Sequence, residues 1–257
     1  MLIQAFQGGF DFGSFIRQLL LSVPPFILAL SMHEAAHAWV AYRCGDPTAK
    51  YLGRLTLNPF AHIDPVGFLM LFVVGFGWAK PVPVNPNNFR NLRRDDIKVS
   101  LAGITANLLM FVVGCLMMFV MLLIAFGQIP AGALPSSEAS MLIRSPESYG
   151  YAVVASLLGD VGGYIYLMLL IFTTINLTLA VFNLLPVPPL DGYHVLNDLV
   201  LRRQVFAPQK AAMAGQILLL ALIFTGALGK LLGAVHTSAL AGAGMAFEAL
   251  FRLLNII

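Results

Sequence analysis

Long apolar runs, broken by short proline-rich polar stretches, set the rhythm of the chain. The first run spans about Phe15 to Tyr42. It is predominantly apolar through Leu19–Leu30 and then carries His33, Glu34 and His37. A polar stretch rich in turn residues follows from Arg43 to Pro65. Val66–Trp78 is apolar again but too short to cross a bilayer, which takes about 20 helical residues. With Gly67, Gly75 and Gly77 inside it, this stretch reads as re-entrant, with Trp78 at the headgroup level. Ala79–Pro86 contains Pro81, Pro83 and Pro86 and is therefore predicted to be extended.

Val99–Phe126 is the second clear span. Gly127–Gly150 reads as a loop punctuated by Pro130, Pro135 and Pro146. Tyr151–Leu185 is the third span, stopped by Pro186-Val187-Pro188-Pro189. Leu190–Lys210 is a polar connection and Ala211–Val235 a fourth span. His236–Ile257, with Glu248 and Arg252, fits an interfacial helix better than a fifth span. The pattern predicts an all-α polytopic membrane protein. It has four to six transmembrane helices, a short re-entrant or β-hairpin segment after the first span, and one membrane-embedded domain over residues 1–257.

Composition supports lipid as the solvent. Hydrophobic residues make up 59% of the chain and charged residues 11%, against about 25% charged in a soluble domain. Cys44 and Cys115 do not suggest a disulfide framework. The +3 net charge reads as loop bias and not as a nucleic-acid footprint. No small-residue cleavage site follows the first run, so a cleaved signal peptide is not expected.

Charge also orients the chain. If Val66–Trp78 does not cross, then Arg43, Lys50, Arg54, Lys80, Arg90, Arg93, Arg94 and Lys98 share one side with Arg202, Arg203 and Lys210. Arg17, Arg144 and Lys230 fall on the other. The positive-inside rule places the N-terminus outside and residues 43–98 in the cytoplasm.

His33-Glu34-Ala35-Ala36-His37 is the central chemical signal. Residues four apart share a helix face, so both imidazoles can bind one Zn²⁺. Glu34, offset from that face, can take a proton from water at the metal. A charged residue near the bilayer centre costs at least ~2.5 kcal/mol, so ionisable groups there tend to be functional. A catalytic zinc usually has three protein ligands and an open position. His62, Asp64, Asp191, His194 and His236 are candidates for the third. Orientation favours Asp191, because spans one and three end on the same face.

Here the sequence resembles the site-2 protease family of intramembrane zinc metalloproteases. His33–His37 matches its first signature, and Asn183-Leu184-Leu185-Pro186-Val187-Pro188-Pro189-Leu190-Asp191-Gly192 its second. Leu101-Ala102-Gly103-Ile104-Thr105-Ala106-Asn107 looks like a weaker third, departing from the family pattern at Ile104, where Pro is usual. Asn58–Pro65 and Gly77–Asn85 extend the likeness, which is closest to short bacterial members without a soluble peptide-binding domain. The resemblance implies one catalytic Zn²⁺ held by His33, His37 and Asp191, with Glu34 as general base and Asn183 hydrogen-bonding substrate. It also implies cleavage of single-pass or remnant transmembrane proteins near the cytoplasmic side of the cell membrane. A zinc transporter and an inactive relative that retains membrane partners are the rival classes. Glu34 argues against the first and the intact residue set against the second. Asn107 reads as a helix–helix hydrogen bond, His62 as an interfacial structural residue, and Arg90/Arg93/Arg94 as a headgroup-facing topology signal.

Overall fold

The structure is a computed structural model that describes residues 12–74, 77–130, 135–201, 208–254 and 256. Among the described residues, three helices are long and apolar enough to cross a membrane: α1 (Phe12–Cys44), α4 (Leu92–Phe126) and α6 (Pro146–Leu184). Between α1 and α4 lie α2 (Thr48–Tyr51) and α3 (Pro65–Val74). Helix α5 (Ser136–Arg144) precedes α6. After it come α7 (Asp191–Leu196), a wide helical turn over Asn197–Leu201, α8 (Pro208–Phe224) and α9 (Ala227–Leu253).

The surface is apolar and the interior partly polar. Leu108, Leu109, Val112, Val113, Leu116, Met117, Val120 and Ile124 of α4 are exposed, whereas Asn107, Thr173 and Asn176 are fully buried. This inversion suits lipid, where exposed leucine costs nothing and polar groups must find partners inside. Helices α1 and α4 run antiparallel, since Ala29 meets Asn107 and His37 meets Val99. Helices α4 and α6 are also antiparallel, joined at Asn107–Asn176 and Met118–Thr173. Helices α1 and α6 are therefore parallel and finish at the same end, as the charge pattern required.

Three expectations are corrected. The third span is not one rod over Tyr151–Leu185: Gly159 has φ 77° and the chain folds back there. The Tyr166 hydroxyl donates to the Pro146 carbonyl at 3.1 Å, and the Tyr151 and Tyr164 rings lie 6.2 Å apart. Residues 146–158 thus pack along 160–184, which alone can span: at about 1.5 Å per residue it exceeds the ~30 Å hydrocarbon. Gly127–Gly150 is not merely a loop, since α5 forms within it. The fourth span is broken at Thr225–Gly226, where α8 and α9 meet at 71°. His236 therefore lies inside one continuous helix and does not begin a separate one. The described residues hold three candidate spans, or four if the bent pair counts as one.

The packed core sits at the end of the molecule away from His33 and His37. Met118, Leu122, Phe126, Ile143, Val154, Tyr166, Phe247 and Phe251 join α4, α5, both halves of α6, and α9. Buried Glu248 ties α9 to this end through Arg144, Arg252 and Ser140.

At the opposite end the short segment turns back as expected. Helix α3 leaves and the chain returns to pair Ala79 with Ile63 in an antiparallel bridge, with Lys80 N–H donating to the His62 carbonyl at 2.8 Å. No strand forms among the described residues, so the β-hairpin alternative fails. The pairing goes no further because the His62 N–H turns to the Pro59 carbonyl and the Lys80 carbonyl accepts from Arg54. Gly75, Arg202 and Arg203 lie outside the described residues.

Buried Asp46 anchors the far end of the extended segment. Its carboxylate accepts from Asn85 N–H (2.7 Å), the Asn88 amide (2.7 Å) and both Thr48 N–H and hydroxyl. Burial acts to raise its pKa, but these donors outweigh it and hold the carboxylate below its usual range. Because its folded pKa is depressed, the anchor contributes fully above about pH 4 and is lost as pH falls below that. Asp46→Ala is expected to speed tryptic cleavage at Arg90 several-fold at pH 7. Unchanged cleavage would show that the segment is held by other contacts.

Candidate metal centre

His33 and His37 lie one helical turn apart on α1 and turn the same face toward α4. Each ring is fixed from behind. His37 Nδ1 lies 2.8 Å from the Val99 carbonyl, which can only accept, so Nδ1 carries the hydrogen. His33 Nδ1 lies 2.6 Å from Asn107 Oδ1. The Asn107 amide orientation follows from its other partners: its Nδ2 donates to the Ala29 carbonyl (3.3 Å) and to Asn176 Oδ1 (2.9 Å). Oδ1 is therefore the atom facing His33, and His33 also carries its hydrogen on Nδ1. Both Nε2 lone pairs then point into one space, the arrangement by which backing groups prepare histidines for a metal.

Asp191 supplies the third atom. Helix α6 ends at Leu184, and Pro186–Leu190 carry the chain across to α7, whose first residue is Asp191. Gly192 allows this crossing, because a Cβ there would strike the Leu184 carbonyl. Asp191 Oδ2 lies 3.4 Å from each Nε2, and the two Nε2 atoms are 3.0 Å apart. A tetrahedral ion with ligand bonds of about 2.0–2.1 Å has ligand–ligand edges of about 3.3–3.4 Å. The donor set fits Zn²⁺ in chemistry and in spacing. Three acceptors meet with no hydrogen between them, and Asp191 Oδ2 is buried without a hydrogen-bond partner. That concentration of negative charge and lone pairs calls for a cation.

Glu34 stands beside the pair, and its Oε2 accepts from Val82 N–H at 2.8 Å. Val82 lies between Pro81 and Pro83, so its amide is the only donor in that tripeptide. The extended segment and the acid are thereby coupled.

The remaining sequence candidates go elsewhere. His62 is buried, with Nε2 on the Thr56 carbonyl at 2.8 Å. Asp64 caps α3 through Gly67 N–H. His194 faces Asp96, and His236 meets the Thr174 hydroxyl. None of them joins the metal set, which among the described residues is His33, His37 and Asp191. Asn183 is half-buried and donates Nδ2 back to the Leu179 carbonyl at 3.0 Å. Arg93 bonds to the Asp198 carbonyl, so one member of the basic cluster ties down the turn after α7.

Four participants escaped sequence reasoning: the Val99 carbonyl, the Val82 amide, Gly103 and Asn176. Backbone groups leave no residue signature. Gly103 was visible as the start of Gly103-x-x-x-Asn107, one turn on one face. A Cβ there would run into His37 Nε2 and the His33 ring.

Comparison with known proteins gives the chain a family. The model of peptidase family M50 matches residues 23–226. "Putative zinc metalloprotease YwhC" of Bacillus subtilis is 38% identical over 174 residues, covering 68% of this chain and 66% of that protein. "Putative zinc metalloprotease Rip2" of Mycolicibacterium smegmatis is 28% identical over 222 residues, covering 84% and 71%. Its namesake in Mycobacterium tuberculosis is 32% identical over 184 residues, covering 69% and 56%. The chain thus spans just under two thirds of the Bacillus relative and somewhat over half of the tuberculosis one. No solved structure matches it. Fold and site together define the class: a multi-pass membrane protein with a three-ligand site suited to zinc. The chain belongs to peptidase family M50, the site-2 protease family.

Gly103→Ala is expected to lower bound zinc at least tenfold while helix content stays unchanged, as read by elemental analysis and circular dichroism. Full zinc occupancy in that variant would show that the rings have more room than the geometry allows.

Proposed function

We propose that this chain is a zinc-dependent intramembrane endopeptidase acting on transmembrane segments of single-pass or remnant membrane proteins. The convergence of His33 Nε2, His37 Nε2 and Asp191 Oδ2 among apolar helices carries this reading. His33, His37 and Asp191 hold the metal. When bound, Zn²⁺ supplies Lewis-acid polarisation of the scissile carbonyl and makes water acidic enough to ionise near pH 7. Glu34 takes the proton from the attacking water and delivers it to the leaving amine. Val82 N–H holds the Glu34 carboxylate in place for that transfer. Asn183, three residues before Pro186, bonds the substrate backbone near the scissile bond.

A transmembrane helix hides its carbonyls in its own hydrogen bonds, so the substrate must unwind locally before it is cut. Residues 79–86 can receive it by strand addition. Val84 N–H has no partner among the described residues and is available as a donor beside Val82. The positive-inside pattern puts this end of the molecule, and so the cleavage, on the cytoplasmic side of the cell membrane. Lipid contacts the apolar exterior, and water must reach the site by a polar path from that side.

Purified protein reconstituted with a model transmembrane substrate tests the reading. Wild type is expected to cleave it, and a zinc chelator to stop cleavage. Glu34→Gln is expected to retain zinc and lose about 10²-fold or more of the rate, the usual range for a general base. Zinc uptake across the bilayer with no cleavage would instead indicate a transporter. Val84→Pro is expected to reduce cleavage about tenfold with zinc content unchanged, and equal cleavage would rule out strand addition.

A further inference from the structure

Asn176 lies on α6, far from any metal ligand in sequence, and is fully buried beside Asn107. Its Nδ2 donates to the Phe172 carbonyl at 2.9 Å. A carbonyl can only accept, so the Asn176 amide has one orientation, with Oδ1 toward α4. That oxygen takes a hydrogen from Asn107 Nδ2, which leaves Asn107 Oδ1 for His33 Nδ1–H. A directed chain thus runs from Phe172 through Asn176 and Asn107 to His33, crossing three helices. The other fixed point on Asn107, the Ala29 carbonyl, is the longer bond at 3.3 Å.

We infer that Asn176 is a positioning residue of the metal centre: through Asn107 it sets the tautomer and ring orientation in which His33 presents Nε2. The inference rests on the assignment of His33 as a zinc ligand. A buried asparagine pair joining two helices is also a plain structural device in membranes. The two roles differ in what they do to metal affinity, and in whether Asn176 acts only through Asn107. Groups that orient a metal-bound histidine typically change metal affinity by 10–100-fold when removed.

The test measures zinc affinity by chelator competition on purified protein in detergent, with the thermal midpoint of the metal-free protein recorded alongside. Asn176→Leu is expected to weaken zinc binding about tenfold, and Asn107→Leu by more. The double variant should be no weaker than Asn107→Leu alone, because Asn176 has no other route to the metal. Asn176→Asp, which keeps an acceptor facing Asn107, should stay within threefold of wild type. If Asn176→Leu fails to assemble, Asn176→Ser serves. Its hydroxyl can bond the carbonyl four residues back, as Thr173 and Thr174 do, but cannot reach Asn107, and the same loss is expected. Affinity within twofold of wild type in Asn176→Leu or Asn176→Ser overturns the inference. So does an Asn176→Leu loss of the same size in the Asn107→Leu background. His33→Ala is the control for the underlying assignment: unchanged zinc affinity there removes His33 from the site, whatever Asn176 does.

Discussion

Two imidazole nitrogens and a carboxylate oxygen, all bearing lone pairs and none a hydrogen, converge among apolar helices, and the rest of the molecule is arranged around that fact. In water such a cluster would be solvated. Inside a bilayer the only compensation is a cation or protons. Each ring commits its Nδ1–H to a fixed acceptor, Asn107 Oδ1 or the Val99 carbonyl, and so turns its Nε2 lone pair inward. The two 3.4 Å edges from Asp191 match a tetrahedral zinc, and the third edge, at 3.0 Å, is a little shorter. Helix order follows from the same requirement. Helices α1 and α6 must finish at one end for Asp191 to arrive opposite His33 and His37, and α4 between them must bring Gly103 to make room.

The two ends of the molecule carry different loads. The end away from the site is packed with Phe126, Tyr166, Phe247 and Phe251 and clamped by Glu248 between two arginines. The site end is built from hydrogen bonds: Asp46 on the extended segment, Arg54 on the Lys80 carbonyl, and Val82 on Glu34. Dense packing holds one end, and specific hydrogen bonds hold the other. The Glu34–Val82 bond joins the acid to the backbone that would receive substrate, so placing one places the other.

Much of this was legible in the sequence. The spacing of His33 and His37 needs only helical periodicity. The choice of Asp191 among five candidates needed only charge bias and the parity of spans. The extended form of residues 79–86 follows from three prolines. The reversal at Gly159 was hidden because residues 152–158 are largely apolar and run on into the span they fold against. Continuity between 227 and 253 was hidden because the break lies earlier, at Gly226, within an unbroken apolar run. Nothing in the local sequence singles out Asn176. Its role depends on which helix lies opposite and on the direction of an amide, and neither is written in a local pattern.

Zinc K-edge X-ray absorption on the purified protein tests the central claim most directly. The account predicts one zinc per chain, four-coordinate, with two imidazole nitrogens at about 2.0–2.1 Å and oxygen donors completing the shell. The imidazole signal should fall from two rings to one in His33→Ala. A spectrum with sulfur or all-oxygen coordination, or two rings still present in that variant, would contradict it.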